Sequence, residues 1–193
     1  MQDFSMYFGL GWHHIISPDA LDHILFIVAL AVIYRLEDWR KVVILVTAFT
    51  IGHFLTLILS VTDVIRANAE WVEFLIPLTI VITAVYNLIN ANRQTPSAIS
   101  PYILALSFGL IHGLGYANAI RFLLVGEQSL GGSLFAFNLG LEIGQIVVVL
   151  AALILGELVL RFTPLQRRYW VIIVSSIVIL IAMNMVIDRI PNI

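Results

Sequence analysis

The sequence predicts an all-α integral membrane protein, a polytopic bundle of about six transmembrane helices. Of its 193 residues, 61% are hydrophobic and only 11% are charged, whereas a soluble domain carries roughly 25% charged residues. Apolar runs of about 18 or more residues recur along the chain, and each is long enough to cross a hydrocarbon core about 30 Å thick. The runs are continuously apolar rather than alternating, which argues against a membrane β-barrel.

Breaks that combine charge with turn-forming residues divide the chain into six predicted spans. The first span ends at RLEDWRK, the second at TDVIRANAEW, the third at NANRQTPSAISP, the fourth at RFLLVGEQSLGG and the fifth at RFTPLQRR. No separate soluble domain is apparent, so residues 1–193 are predicted to form a single transmembrane domain. The predicted spans are 20–36, 41–62, 72–91, 100–118, 133–160 and 168–188.

The placement of lysine and arginine predicts the orientation of the bundle. Cytoplasmic loops of membrane proteins carry an excess of these residues. About seven basic residues fall on one side of the predicted spans and three on the other, which puts both termini outside the cytoplasm. The larger group is Arg35, Arg40, Lys41, Arg93, Arg161, Arg167 and Arg168; the smaller is Arg66, Arg121 and Arg189.

Ionisable side chains converge in the outer half of this predicted topology. The stretch GWHHIISPDALDHILF holds three of the five histidines and two aspartates at the start of the first span. An ionisable side chain within a bilayer costs at least a few kcal/mol, so it is a functional candidate. Each group alone is equally well explained by a hydrogen bond between helices, but several groups at one depth predict a shared site. The proposed ligands are His14, Asp22, His23, His53, His112 and Glu142.

Helical spacing supports this shared site. Asp19, Asp22 and His23 are spaced i, i+3 and i+4, and therefore lie on one helical face. Asp19 is equally explained as a helix N-cap, and Asp22 either binds a metal directly or orients the imidazole of His23. The residues expected to support the ligands are His13, Asp19, Glu73, Asn138 and Gln145.

The types of ligand restrict the metal. The chain has no cysteine, so thiolate sites, disulfides and covalently attached haem are excluded. Imidazole and carboxylate ligands suit a divalent transition metal ion such as zinc, nickel or copper, and do not choose among them. Histidine must be neutral to bind a metal, so binding is expected to weaken below about pH 6.5.

Five stretches together resemble the HupE/UreJ family of bacterial membrane proteins: HHIISPDALDHILFIVAL, FTIGHFLTL, VEFLIPLTI, FGLIHGLGYA and FNLGLEIGQ. The resemblance implies a metal-binding protein of six or seven helices in the bacterial inner membrane, and members associated with hydrogenase and urease are regarded as nickel permeases. By position, His14, Asp22 and His23 match the first motif of the family, His53 the second, His112 the third and Glu142 the last. HHIISPDALDHILF departs from the nickel-permease pattern and is closer to a branch of unassigned function.

Three functions are consistent with these residues. The first, favoured by the resemblance, is transport of a divalent metal ion, nickel or one with similar ligand preferences. The second is a zinc-dependent membrane hydrolase acting at the outer leaflet, with Glu142 or Asp22 as general base. The third is a structural membrane subunit whose helices are clamped by a metal. The expected partners are the lipid bilayer and a metal ion, and no basic face for nucleic acid is seen; a membrane or periplasmic protein partner and the oligomeric state are left open.

Overall fold

The computed structural model describes residues 2–17, 20–92, 100–123 and 130–191, and within these ranges every regular element is helical, as predicted. Seven α-helices follow one another, and a short 3-10 turn at Leu36–Asp38 precedes the third. The helices are α1 (Gln2–Ile16), α2 (Leu21–Ala31), α3 (Trp39–Val61), α4 (Ala69–Asn90), α5 (Ser100–Leu123), α6 (Leu130–Phe162) and α7 (Arg167–Asp188).

Four of the described helices are long and apolar enough to cross a membrane: α3 with its preceding turn, α4, α6 and α7. Helices α1 and α2 pass the same test only as a pair, bent by 68°, and would make a fifth span. The apolar part of α5, Pro101–Ala117, is shorter. The multi-pass membrane character is thus confirmed, and the predicted number of six is reached only if the bent pair and α5 both cross.

Helix α1 is the one described helix that no predicted span includes. Its 15 residues are fewer than the roughly 20 that a membrane-spanning helix needs, and polar residues lie at both of its ends. A search for long apolar runs therefore passes over it. Its place in the fold depends instead on its contact with α6.

Local polar residues explain where the third helix ends and the fourth begins. The Thr62 hydroxyl donates to the Ile58 carbonyl at the end of α3, and Asp63 adopts a left-handed backbone conformation with φ of 64°. The chain then turns to Asn68, whose side chain accepts from the amides of Glu70 and Trp71 as the N-cap of α4. Such a cap satisfies backbone donors that have no partner within the helix.

Glycines let two helix pairs approach to backbone contact. Gly11 of α1 lies against the Phe137 carbonyl of α6, and Gly140 of α6 lies against the Phe8 carbonyl of α1. In the α3–α5 pair, a Cβ atom at Gly109 would collide with the Phe49 carbonyl. Small residues at these contacts let helices pack closely in a membrane, so the glycines determine which helix faces meet.

Aromatic rings form a buried layer between α2, α3 and α5. Phe26 packs against Phe49 and Phe108, with ring centroids 5.0 and 5.7 Å apart. His112 lies on this layer, 5.1 Å from Phe49 and 5.5 Å from Phe26 between centroids. Packing in rigid rings restricts the positions open to the histidine side chain.

The backbone contact at Gly11 predicts a stability difference between two glycines of the same helix. Gly11→Ala would place a methyl group against the Phe137 carbonyl, whereas nothing lies near the corresponding position at Gly9. Overpacking of this kind costs about 1–3 kcal/mol, while alanine raises helix propensity by up to about 1 kcal/mol. Thermal unfolding in detergent should show Gly11→Ala destabilised and Gly9→Ala unchanged or stabilised. Equal midpoints for the two variants would contradict the close α1–α6 contact.

Candidate metal site

An open pocket of about 530 Å³ lies at one end of the bundle, between α1, α2, α4, α5 and the end of α7. We call it the histidine pocket. Its polar lining brings together side chains that are distant in the sequence, and most of them belong to the predicted site. These side chains are His13, His14, Ser17, Asp22, His23, Glu73, His112, Tyr116 and Arg189.

Four imidazole rings form a continuous chain in and beneath this pocket. The ring centroids of His14 and His23 lie 4.5 Å apart, and those of His23 and His112 lie 5.2 Å apart. His53 extends the chain below the pocket, 6.2 Å from His14. His53 and His112 are almost fully buried. The structure therefore brings together the four histidines that the sequence proposed as ligands.

Hydrogen bonds determine the tautomer of three of these rings. The Nδ1 atom of His23 lies 3.0 Å from Asp22 Oδ1, that of His53 lies 3.3 Å from Asn138 Oδ1, and that of His112 lies 2.9 Å from the Phe108 carbonyl oxygen. Carboxylate, amide and carbonyl oxygens only accept hydrogen bonds, so each Nδ1 must be the donor. A neutral ring then keeps its lone pair on Nε2.

The Nε2 atoms are the unusual feature of the cluster. Those of His14, His23, His53 and His112 are all buried, and none has a hydrogen-bond partner. Buried polar side-chain atoms are nearly always paired, so each exception calls for an explanation. Four such atoms in one cluster are suited to a ligand that accepts nitrogen lone pairs.

The Asp22 carboxylate is hydrogen-bonded to the adjacent His23 rather than extending into the pocket without partners. Its Oδ1 atom accepts from both the backbone amide and the Nδ1 of His23, while Oδ2 lies 3.7 Å from Arg189 Nη1. Of the two roles considered for Asp22, this geometry matches orientation of the His23 ring. Carboxylates that hold a histidine ligand in this way are common around metal ions.

Glu142 lies outside the lining of the histidine pocket, although the sequence grouped it with the histidines. Its Oε1 atom accepts a hydrogen bond of 2.7 Å from the Thr47 hydroxyl on α3. Gln145, on the same face of α6, accepts from the Thr50 hydroxyl. Asn138, another of the predicted supporting residues, accepts from His53 Nδ1 at 3.3 Å through its Oδ1 atom.

The other predicted supporting residues lie at the mouth of the pocket or beyond the described ranges. His13 and Glu73 are exposed and line the mouth. Asp19 lies outside the described residues, so its predicted role as cap or ligand is not addressed.

Tyr116 and Arg189 also line the pocket, although neither was predicted from the sequence. Tyr116 packs on His14 with ring centroids 4.1 Å apart, and its position four residues after His112 could have indicated a shared face. Arg189 pairs with Asp22 from the far end of the chain, and no local pattern indicates this contact.

The histidines lie close together without yet forming a coordination sphere. Among the described residues, no group of three or more His, Asp or Glu side chains is close enough to hold a metal ion. The rings follow one another in a chain, so each contacts its neighbours rather than all the others. Binding of one ion by several of them would require the chain to close.

A match to a known protein family covers nearly the whole chain. The family model described as "HupE / UreJ protein" matches residues 1–189. The chain belongs to the HupE/UreJ family. Neither the curated proteins nor the solved structures include a match to it. The resemblance to this family is thus confirmed. Three of the five motifs supply residues that line the histidine pocket of this HupE/UreJ chain, and the other two supply His53 and its partner Asn138.

Proposed function

We propose that this HupE/UreJ protein binds a divalent transition metal ion in the histidine pocket and passes it across the membrane. One observation carries the proposal: four buried histidine Nε2 atoms lie together without hydrogen-bond partners. An unpaired buried polar atom costs about 1–3 kcal/mol. A metal ion would satisfy all of these atoms at once, which accounts for their accumulation at one place.

The spacing of the rings is compatible with this ligand. Four imidazoles around a tetrahedral ion, with metal–nitrogen distances of about 2.0–2.1 Å, place neighbouring ring centroids about 5 Å apart. The observed neighbours are separated by 4.5, 5.2 and 6.2 Å. Binding of one ion by all four rings would require the chain to close, so that rings that are not neighbours also approach to this spacing. Nδ1 hydrogen bonds to Asp22, Asn138 and Phe108 keep three of these lone pairs available.

Transport is favoured over the two other functions by the shape and contacts of the site. A structural clamp predicts a closed site with all ligands saturated, whereas the histidine pocket opens at the end of the bundle. For a zinc hydrolase, neither carboxylate considered as general base is free: Glu142 accepts from Thr47, and Asp22 contacts His23 and Arg189. An open pocket with unpaired nitrogen atoms suits an ion that binds and leaves again.

The basic residues and the family support a location and an orientation for the chain. The excess of lysine and arginine at the other end of the bundle supports an inner-membrane orientation with both termini outside. The histidine pocket would then open outward, with Glu73 attracting cations at its mouth. Nickel is the cargo of the members associated with hydrogenase and urease, from whose first motif this chain departs, and zinc and copper suit the same ligands.

The proposal is tested by measuring binding and passage in the same protein. Metal content of the purified chain is measured after incubation with NiCl₂, ZnCl₂ or CuCl₂ and removal of free ions. Proteoliposomes that enclose a metal-sensitive dye then report passage, with protein-free liposomes as control. We expect about one ion bound per chain and faster dye response for at least one of these metals. Absence of bound metal would overturn the whole proposal; bound metal without passage would overturn transport alone.

The contact between Asn138 and His53 predicts an effect on affinity. Asn138→Ala removes the acceptor that holds His53 Nδ1, and loss of such an orienting partner typically weakens metal affinity by about 10–100-fold. Asn87→Ala is the matched control, since Asn87 is buried and donates to the Ala29 carbonyl, which lies about 9 Å from His23 along the α2 axis. Competition with a chelating dye measures both affinities. Equal losses in the two variants would indicate a general packing effect instead.

A further inference from the structure

A second polar group lies between α3 and α6, deeper in the bundle than the histidines. It consists of Thr47, Thr50, Glu142 and Gln145, and we call it the threonine–glutamate cluster. The Thr47 hydroxyl donates to Glu142 Oε1 over 2.7 Å, and the Thr50 hydroxyl donates to Gln145 Oε1 over 3.0 Å. Thr50 and Gln145 are buried. Four oxygen-bearing side chains therefore converge within two membrane-spanning helices.

This cluster lies on the same two helices as His53 and its partner Asn138. His53, Thr50 and Thr47 follow one another at intervals of three along α3, so that Thr47 lies about 9 Å from His53 along the helix axis. On α6, Asn138 contacts His53 and lies on the same face as Glu142 and Gln145. Three polar pairs thus lie between α3 and α6: His53 with Asn138, Thr50 with Gln145, and Thr47 with Glu142.

Glu142 lacks a cationic partner in this cluster. No ion pair formed by the described residues includes it, although it lies in the membrane-spanning helix α6. A carboxylate at such a position is costly, and intramembrane carboxylates commonly mark an ion pathway. Glu142 therefore offers a negative charge for a passing cation.

Thr50 can release its partner in the cluster without losing all of its hydrogen bonds. Its hydroxyl has one proton and two acceptors within reach, Gln145 Oε1 at 3.0 Å and the Val46 carbonyl at 3.2 Å. Rotation toward the carbonyl would free the Gln145 oxygen for a cation. The Thr50 hydroxyl would donate a hydrogen bond in both positions.

We propose that the threonine–glutamate cluster is a second cation station, which takes up the metal ion when it leaves the histidine pocket. This inference rests on the proposed transport function and assigns Glu142 to the route rather than to the histidine site. Carboxylate, amide and hydroxyl oxygens are harder ligands than imidazole and suit transition metal ions less well. A metal ion bound more weakly by these oxygen atoms than by the histidine nitrogens would leave the second station again rather than remain trapped there.

The test separates binding from passage. Glu142→Gln keeps the size of the side chain and an oxygen that accepts from Thr47, but removes the charge. We expect this variant to bind Ni²⁺ or Zn²⁺ with the stoichiometry and affinity of the wild type, within about twofold. Passage into dye-loaded proteoliposomes should fall at least tenfold. The matched control is Glu157→Gln, on the same helix but exposed and remote from the cluster, which should alter neither property.

Every other outcome overturns either the second station or the transport function. Loss of binding in Glu142→Gln, with normal thermal unfolding, would return Glu142 to the histidine site and overturn the second station. Passage within twofold of the wild type would overturn it as well. Thr47→Val, which removes the partner hydroxyl, provides a second variant and should slow passage without loss of binding. Wild-type protein that binds metal without passage would instead overturn the transport function itself, and the station with it.

Discussion

Replacement of His112 or His53 by alanine is expected to abolish near-stoichiometric metal binding. Both rings are buried, and each has an unpaired Nε2 atom and an Nδ1 atom held by a neighbour. Zinc sites in small folded peptides are worth about 10–16 kcal/mol. Divided among four ligands, this is roughly 3 kcal/mol for each, or about a hundredfold in affinity.

The neighbouring histidine provides the control for this prediction. His13 lies at the mouth of the pocket and is exposed, so His13→Ala should retain binding within about threefold. Elemental analysis of the purified variants, with thermal unfolding to verify folding, measures the outcome. Metal retained in both His112→Ala and His53→Ala would refute a shared site and leave these histidines as packing residues of the aromatic layer.

Asp22→Ala is expected to weaken metal binding by at least 10–100-fold, for two reasons. The His23 ring loses the acceptor of its Nδ1 proton, and orienting carboxylates of this kind contribute about that factor. In addition, Arg189 loses its anionic partner at the mouth of the pocket and would repel an incoming cation. Competition titration with a chelating dye measures the combined effect.

A second variant separates these two causes. In Asp22→Ala combined with Arg189→Ala the repulsive charge is absent, so part of the affinity should return while the loss of ring orientation persists. Asp188→Asn, an exposed carboxylate beside Arg189, is the control and should bind as the wild type does. Wild-type affinity in Asp22→Ala would show that His23 needs no orienting partner.

The sequence was sufficient to predict the helical membrane fold and most members of the site. Hydropathy identifies spans because the transfer free energies of the residues in a helix can be summed along the sequence. The histidines stood out for the same reason, since ionisable groups in such segments are rare. Predicted topology then placed them at one depth, and the structure has four of them in one chain of rings.

A predicted half of the membrane is too coarse to separate groups that lie one helical turn apart. The sequence placed Glu142 with the histidines because both lie in the same predicted half of the membrane. In the structure, Glu142 meets Thr47 while Asn138 meets His53, and this distinction depends on how α6 is aligned along α3. The alignment is decided by side-chain packing between helices, which hydropathy does not record.

Helix α1 and Arg189 illustrate what the tertiary structure decided. The position of α1 depends on close backbone contacts at Gly11 and Gly140, and Arg189 reaches Asp22 only because α7 ends beside the pocket. By itself, the sequence determined that this chain forms membrane helices and that its histidines share a depth. Which rings touch, which carboxylate orients them and which one lies beyond them were determined by helix packing, because contacts between distant segments depend on shape rather than on composition.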